Sequence, residues 1–137
     1  MTLYPLPNTV LLACAVLALL LFGLGVLISI LRFRTGILSG GDTRRPDALI
    51  NRAIRAHGNT AEFAPMLGLL FLAHGLKQPQ LAPTVQALII AATGCRLLLV
   101  VGLLAWPTMT RPNPARFVGA LGTYLTGTAL AVALLVV

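Results

Sequence analysis

Residues 52–65 read Arg52-Ala-Ile-Arg-Ala-His-Gly-Asn-Thr-Ala-Glu-Phe-Ala-Pro65, and Met66 to Leu76 after them contain no Lys, Arg, Asp or Glu. Taken as a helix at about 100° per residue, Arg52, Arg55, Asn59 and Glu62 lie within roughly 80° of one another. They make one polar stripe of two cations, an amide and a carboxylate. His57 falls about 200° from Arg55 and points away from it. The stripe runs into an apolar segment, where charge is costly unless paired or hydrated. It predicts a polar, anion-accepting cavity between membrane helices.

Composition sets the class around that stretch. The chain has 137 residues, 58% of them hydrophobic and 9% charged, with mean hydropathy +0.93. Soluble domains carry about 25% charged residues. A soluble chain of this length has no room to hide so much apolar surface. The expectation is an all-α integral membrane protein, a four-transmembrane-helix bundle forming a single domain over residues 1–137. The net charge of +7 resembles a nucleic-acid signal, but the apolar segments leave no soluble domain to bind nucleic acid. Clustered Arg beside membrane spans reads instead as topology and anion binding. Cys14 and Cys95 lie in apolar runs and read as packing residues, not a disulfide. His57 and His74 have no carboxylate or Cys at ligand spacing, which argues against a metal site.

Helices are expected at about 9–32, 48–76, 83–106 and 115–136. Met1 to Asn8 holds Pro5 and Pro7 and reads as a non-helical lead-in. The apolar run from Val10 to Leu31 has about the 20 residues that cross a bilayer. Its basic residues follow rather than precede it, unlike a signal peptide. Arg32 and Arg34 close this helix, and Thr35 to Pro46 reads as a loop. Asp47 is placed to cap the second helix. Pro65 should kink that helix just beyond the stripe. Gly75 to Pro83 is a tight connection, and Pro107 to Pro114 is a loop containing Arg111. Gly23 and Gly25 in the first helix, and Gly119, Gly122 and Gly127 in the fourth, offer close packing. Basic residues concentrate in the first and third loops and their flanks. The positive-inside rule puts those loops in the cytoplasm and both termini opposite, in a multi-pass protein of the cell inner membrane.

Arg96 lies mid-way along the third helix, where an Arg costs about 2.5–3.5 kcal/mol on insertion scales. At 1.5 Å per residue, Arg96 and Glu62 both sit roughly 21–22 Å below the loop joining their helices. Matching depth and opposite charge predict a buried ion pair between them.

Together these residues resemble the MAPEG family, the membrane-associated proteins of eicosanoid and glutathione metabolism. The segment Arg55-Ala-His-Gly-Asn-Thr-Ala-Glu-Phe-Ala-Pro65 looks like its signature, R-A-H-x-N-x-x-E-x-x-P. The likeness covers nearly the whole chain, from a basic first loop to an Arg opening the fourth helix. It implies a homotrimer of four-helix protomers that bind glutathione between neighbours near the cytoplasmic side. It implies further that Arg32, Arg55, Asn59 and Glu62 contact glutathione, with Arg52 beside them. By the same likeness Arg96 pairs with the helix-two Glu, and Arg116 stabilises the glutathione thiolate. The implied activity is glutathione-dependent transfer to, or reduction of, a lipophilic electrophile in contact with membrane lipids. Leu99, Leu103, Phe63 and Phe117 depart from polar or aromatic residues found in other members, which leaves fewer polar contacts to glutathione.

The chemistry is coherent without the likeness. Glutathione carries two carboxylates, and Arg offers each a fork of charge-assisted donors. A thiol of pKa about 8.5 reacts as thiolate, so a nearby Arg activates it and no side-chain nucleophile is needed. Tyr124 reads as packing, and Arg34, Arg44 and Arg45 as topology and contact with anionic lipid. Two other readings remain open: a non-catalytic lipid-binding or scaffold protein of this fold, and a small four-helix transporter. Such carriers place a carboxylate in the first helix, which here has no acidic residue.

Overall fold

The computed structural model describes residues 5–78 and 80–136. Part of the expected lead-in, Pro79 of the second connection and the final Val137 lie outside them. Four helices follow in order: α1 Asn8–Thr35, α2 Leu49–Lys77, α3 Pro83–Ala105 and α4 Pro114–Val136. α1, α3 and α4 are long and apolar enough to cross a membrane. α2 is long enough but carries the polar stripe in its first half.

The helix ends follow local chemistry. α1 continues past Arg32 and Arg34 to Thr35, because Gly36 supplies the left-handed residue (φ 71°) that ends it. The Gly36 N–H donates to the Arg32 carbonyl at 2.9 Å, as a C-terminal cap does. The two arginines then sit in the last turn, where the helix dipole favours cations. α2 begins without a side-chain cap, so the expected capping role of Asp47 is not observed. The Asp47 carboxylate instead accepts the Met109 N–H, across from the α3–α4 loop, at 2.8 Å. α2 runs unbroken through Pro65. α4 has the cap that α2 lacks. Asn113 Oδ1 accepts from the N–H groups of Ala115 (3.0 Å) and Arg116 (3.3 Å), with Pro114 at the first helical position.

α2 and α3 form the centre. Among the described residues α1 packs on both of them, α4 packs on both from the other side, and α1 and α4 do not meet. The α3–α4 contact is close because of glycine. A Cβ on Gly119 would stand 2.6 Å from the Leu99 nitrogen, and one on Gly122 would collide with Cys95 Sγ. Gly127, by contrast, has only ordinary contact with Leu67. Helix association in lipid depends on such backbone approach rather than on hydrophobic exclusion. One core cluster, built on Leu17, Phe71, Ile89 and Leu130, fills the end near the α2–α3 connection. A smaller one, with Leu24, Leu99 and Leu103, lies toward the other end.

Candidate functional site

A cavity of about 440 Å³ opens at the end of the bundle formed by the α3–α4 loop. Arg55 and Asn59 of α2, Leu99 and Leu103 of α3, Arg111 of the loop, and Arg116 and Tyr124 of α4 line it, together with Met109 and Asn113. Three guanidinium groups face one cavity whose lining contains no Asp or Glu. Low-dielectric walls around charge of one sign focus the field and attract anions.

The helical wheel of α2 explains which stripe residues arrive there. Arg52, Asn59 and Phe63 lie within roughly 40° of one another, and Arg55 and Glu62 lie about 60–80° round from Arg52. The first group faces α3. Arg52 Nη1 donates to the carbonyls of Leu104 (2.6 Å) and Trp106 (2.7 Å), where α3 ends. A cation on terminal carbonyls satisfies orphan acceptors and opposes the helix dipole. Arg52 therefore closes α3 and does not line the cavity. Asn59 receives Arg96, whose Nη2 donates to Asn59 Oδ1 at 2.8 Å and to its main-chain carbonyl at 3.1 Å. The Arg96 guanidinium also stands 5.3 Å above the Phe63 ring, a cation–π contact. Phe63 in turn meets the Tyr124 ring at 5.4 Å.

The expected Arg96–Glu62 ion pair is absent among the described residues. Arg96 is fully buried, but Glu62 is exposed. The physical reason is azimuth. Depth along the helix places the two at one level, yet Glu62 points about 60° away from Asn59, off the face that meets α3. Arg96 is compensated by an amide oxygen, a main-chain carbonyl and an aromatic face, and its Nε and Nη1 have no hydrogen-bond partner among the described residues. By taking the Asn59 oxygen, Arg96 fixes the flip of that amide and leaves its NH₂ to face elsewhere.

Arg32 lies at the end of α1 and does not line this cavity. Arg55 and Arg116 do. The Nη1 of Arg116 donates to the Met109 carbonyl at 3.0 Å, which holds the side chain against the loop. Asn113 is buried, and its Nδ2 donates to the Gly102 carbonyl at 2.7 Å, so one side chain starts α4 and ties it to α3. Sequence reading missed the placement of Arg111 and Tyr124 in the cavity and the structural part of Asn113. The Asn113-Pro114 pair was the available signal, since it spells a cap followed by a first helical residue. Nothing in the pattern distinguished Arg111 from a topological charge. Leu99 and Leu103, noted as departures, do face the cavity and make part of its wall apolar.

Outside the membrane-spanning segments, Asp47 is held below the usual carboxylate range. The Met109 N–H bond is the main cause, helped by the Thr108 hydroxyl. Its carboxylate is thus the stable form in the fold.

Comparison with known proteins places the chain. The sequence profile of the MAPEG family matches residues 10–136, nearly the whole length, and the chain belongs to this family. No curated protein and no solved structure matches it.

Proposed function

We propose that this MAPEG-family protein is a membrane-embedded, glutathione-dependent transferase or peroxidase that acts on lipophilic electrophiles. The observation that carries the reading is the convergence of Arg55, Arg111 and Arg116 with Asn59 on one cavity free of acidic lining. Arg55 and Asn59 hold the carboxylate ends of glutathione through charge-assisted hydrogen bonds. Arg96 keeps the Asn59 amide oriented. Arg116, at the first turn of α4, stabilises the sulfur as thiolate in a partly dry site. The thiolate then attacks an electrophilic carbon, forming a C–S bond as the electrons of the bond being opened move onto the acceptor. With a hydroperoxide as oxidant, the sulfur attacks the terminal oxygen, forming an S–O bond as the O–O bond breaks, and the alkoxide takes a proton and leaves as the alcohol. The thiol of a second glutathione then attacks that sulfenic sulfur, forming the disulfide as the S–O bond breaks and water leaves.

The assembly we propose is a homotrimer. Arg55 and Glu62 are exposed on a helix belonging to a membrane bundle, and such groups need cover or hydration. A neighbouring protomer supplies the cover, and its Arg32 and Glu62 complete the glutathione site between subunits, with Arg52 acting from behind through α3. The basic end of the bundle, with loops one and three, lies in the cytoplasm of a cell inner membrane. A second reading, non-catalytic binding of an anionic lipid, is favoured by one observation: no carboxylate lines the cavity to take the glutathione ammonium.

Equilibrium binding on purified protein separates the two. Saturable glutathione binding at or below millimolar concentration, weakened in Arg55→Ala, is the expected result. No glutathione binding, together with Arg55-dependent binding of phosphatidylglycerol, would replace this reading with the lipid one.

A further inference from the structure

The α3–α4 loop forms the rim of the cavity, and three side chains hold it down. Arg52 grips its entrance at the Leu104 and Trp106 carbonyls. Asn113 grips its exit at the Gly102 carbonyl. Asp47 grips its middle, at the Met109 N–H. The middle tether differs from the others in what lies beyond it. The carbonyl of Met109 is the acceptor for Arg116 Nη1. Both main-chain polar groups of one residue are therefore engaged, one by Asp47 and one by Arg116. Rotation about the Met109 backbone breaks one bond or the other.

The base of this tether is stiff. Asn51, in the first turn of α2, donates from Nδ2 to the carbonyls of Asp42, Arg45 and Pro46 at 2.8–3.0 Å. Its Oδ1 accepts the Asp42 N–H at 2.8 Å. The Ala48 N–H closes a turn onto the Arg45 carbonyl at 2.9 Å. Asp47 thus stands between two residues whose main-chain groups are already fixed. A carboxylate on a rigid base, bonded to a loop N–H whose neighbouring carbonyl orients a cavity arginine, is a positioning device. A charged acceptor makes it stronger than a neutral one.

We propose that Asp47 is a positioning residue for Arg116, acting through the Met109 backbone, so that the start of α2 sets where the thiolate-stabilising guanidinium stands. The proposal rests on the glutathione reading for its chemistry, but the tether itself does not. The test has two arms on the full-length protein in detergent. In the first, hydrogen–deuterium exchange of residues 105–116 is followed without ligand in the parent, Asp47→Ala and Asp47→Asn. Asn keeps an acceptor oxygen at the same place. Exchange should rise at least tenfold in Asp47→Ala and return close to the parent in Asp47→Asn. Unchanged exchange in Asp47→Ala overturns the proposal whatever glutathione does.

In the second arm, the pH at which bound glutathione ionises is followed by thiolate absorbance. It should rise in Asp47→Ala, recover in Asp47→Asn, and show no further rise when Asp47→Ala is added to Arg116→Ala. A shift of equal size in the Arg116→Ala background overturns the route through Arg116, since a merely structural defect would act in both. Absence of any thiolate signal in the parent overturns the glutathione reading, and with it the chemical half of this proposal. The exchange arm then still decides the tether.

Discussion

The two edges of the α2 polar stripe each carry an arginine, and the two arginines serve opposite ends. On the edge facing α3, Arg52 closes the α3 terminus and Asn59 compensates the buried Arg96. On the open edge, Arg55 lines the cavity and Glu62 is exposed. One turn separates Arg52 from Arg55, and that turn decides whether a guanidinium holds the bundle together or lines the open cavity. The difference shows that polar residues inside a membrane bundle are read by what lies opposite them, not by type or depth. An acceptor rich in carbonyls absorbs an arginine into the structure, whereas an open cavity leaves it for an anion.

The comparison is broken most severely at Asn59. Asn59→Leu leaves the buried Arg96 with one carbonyl and one aromatic face. Loss of a hydrogen bond to a charged group costs about 1.5–3 kcal/mol, before the penalty of stranding the charge. Thermal unfolding in detergent should show destabilisation of about 3 kcal/mol. Adding Arg96→Leu should recover part of it, and strict additivity of the two would show that the side chains do not interact.

Arg52→Ala comes next. It orphans the carbonyl of Leu104 in the last turn of α3 and that of Trp106 just beyond it, and the expected loss is about 2 kcal/mol of stability. Glutathione affinity should fall only through loosening of the rim. A loss of affinity without loss of stability would move Arg52 to the binding edge.

Arg55→Ala is the mirror case. Exposed in the protomer, it should alter the stability of the protomer fold by less than about 0.5 kcal/mol. Glutathione binding should weaken about ten- to a hundredfold, as one charge-assisted bond of about 1.5–3 kcal/mol implies. Equal effects of Arg52→Ala and Arg55→Ala on stability and binding would erase the distinction between the edges.

The smallest effect concerns pH. The Met109 N–H and the Thr108 hydroxyl hold the Asp47 carboxyl below its ordinary value. A depressed folded-state pKa contributes stability that is present above the unfolded value of about 3.9 and is lost as pH falls through the folded one. The parent should therefore lose stability below about pH 4 more steeply than Asp47→Asn. Parallel acid limbs would show that the tether does not depend on the carboxylate charge.

How much of this was legible follows from the kind of information each feature needs. The membrane class, the four helices and the stripe rest on composition and periodicity, which one sequence carries in full. The depth of Arg96 was also readable, since rise per residue is constant. Its partner was not, because depth says nothing of the angle at which α3 meets α2, and Asn59 rather than Glu62 lies at that angle. Asp47 looked like a helix cap because it follows Pro46 and precedes α2. The local rule lost to a tertiary contact with Met109, far along the chain. Arg111 and Tyr124 joined the cavity through the fold of a proline-rich loop and the glycine-permitted closeness of α3 and α4. Neither fact has a periodic signature.

The most direct measurement is a pH titration of thiolate absorbance from glutathione bound to the parent and to Arg116→Ala. The parent should lower the thiol pKa by about two units, equivalent to about 2.7 kcal/mol of thiolate stabilisation. Arg116→Ala should return the value most of the way to that of free glutathione while binding persists. If glutathione bound to the parent ionises at the same pH as in solution, or Arg116→Ala leaves a lowered value unchanged, the cavity does not activate the thiol as proposed.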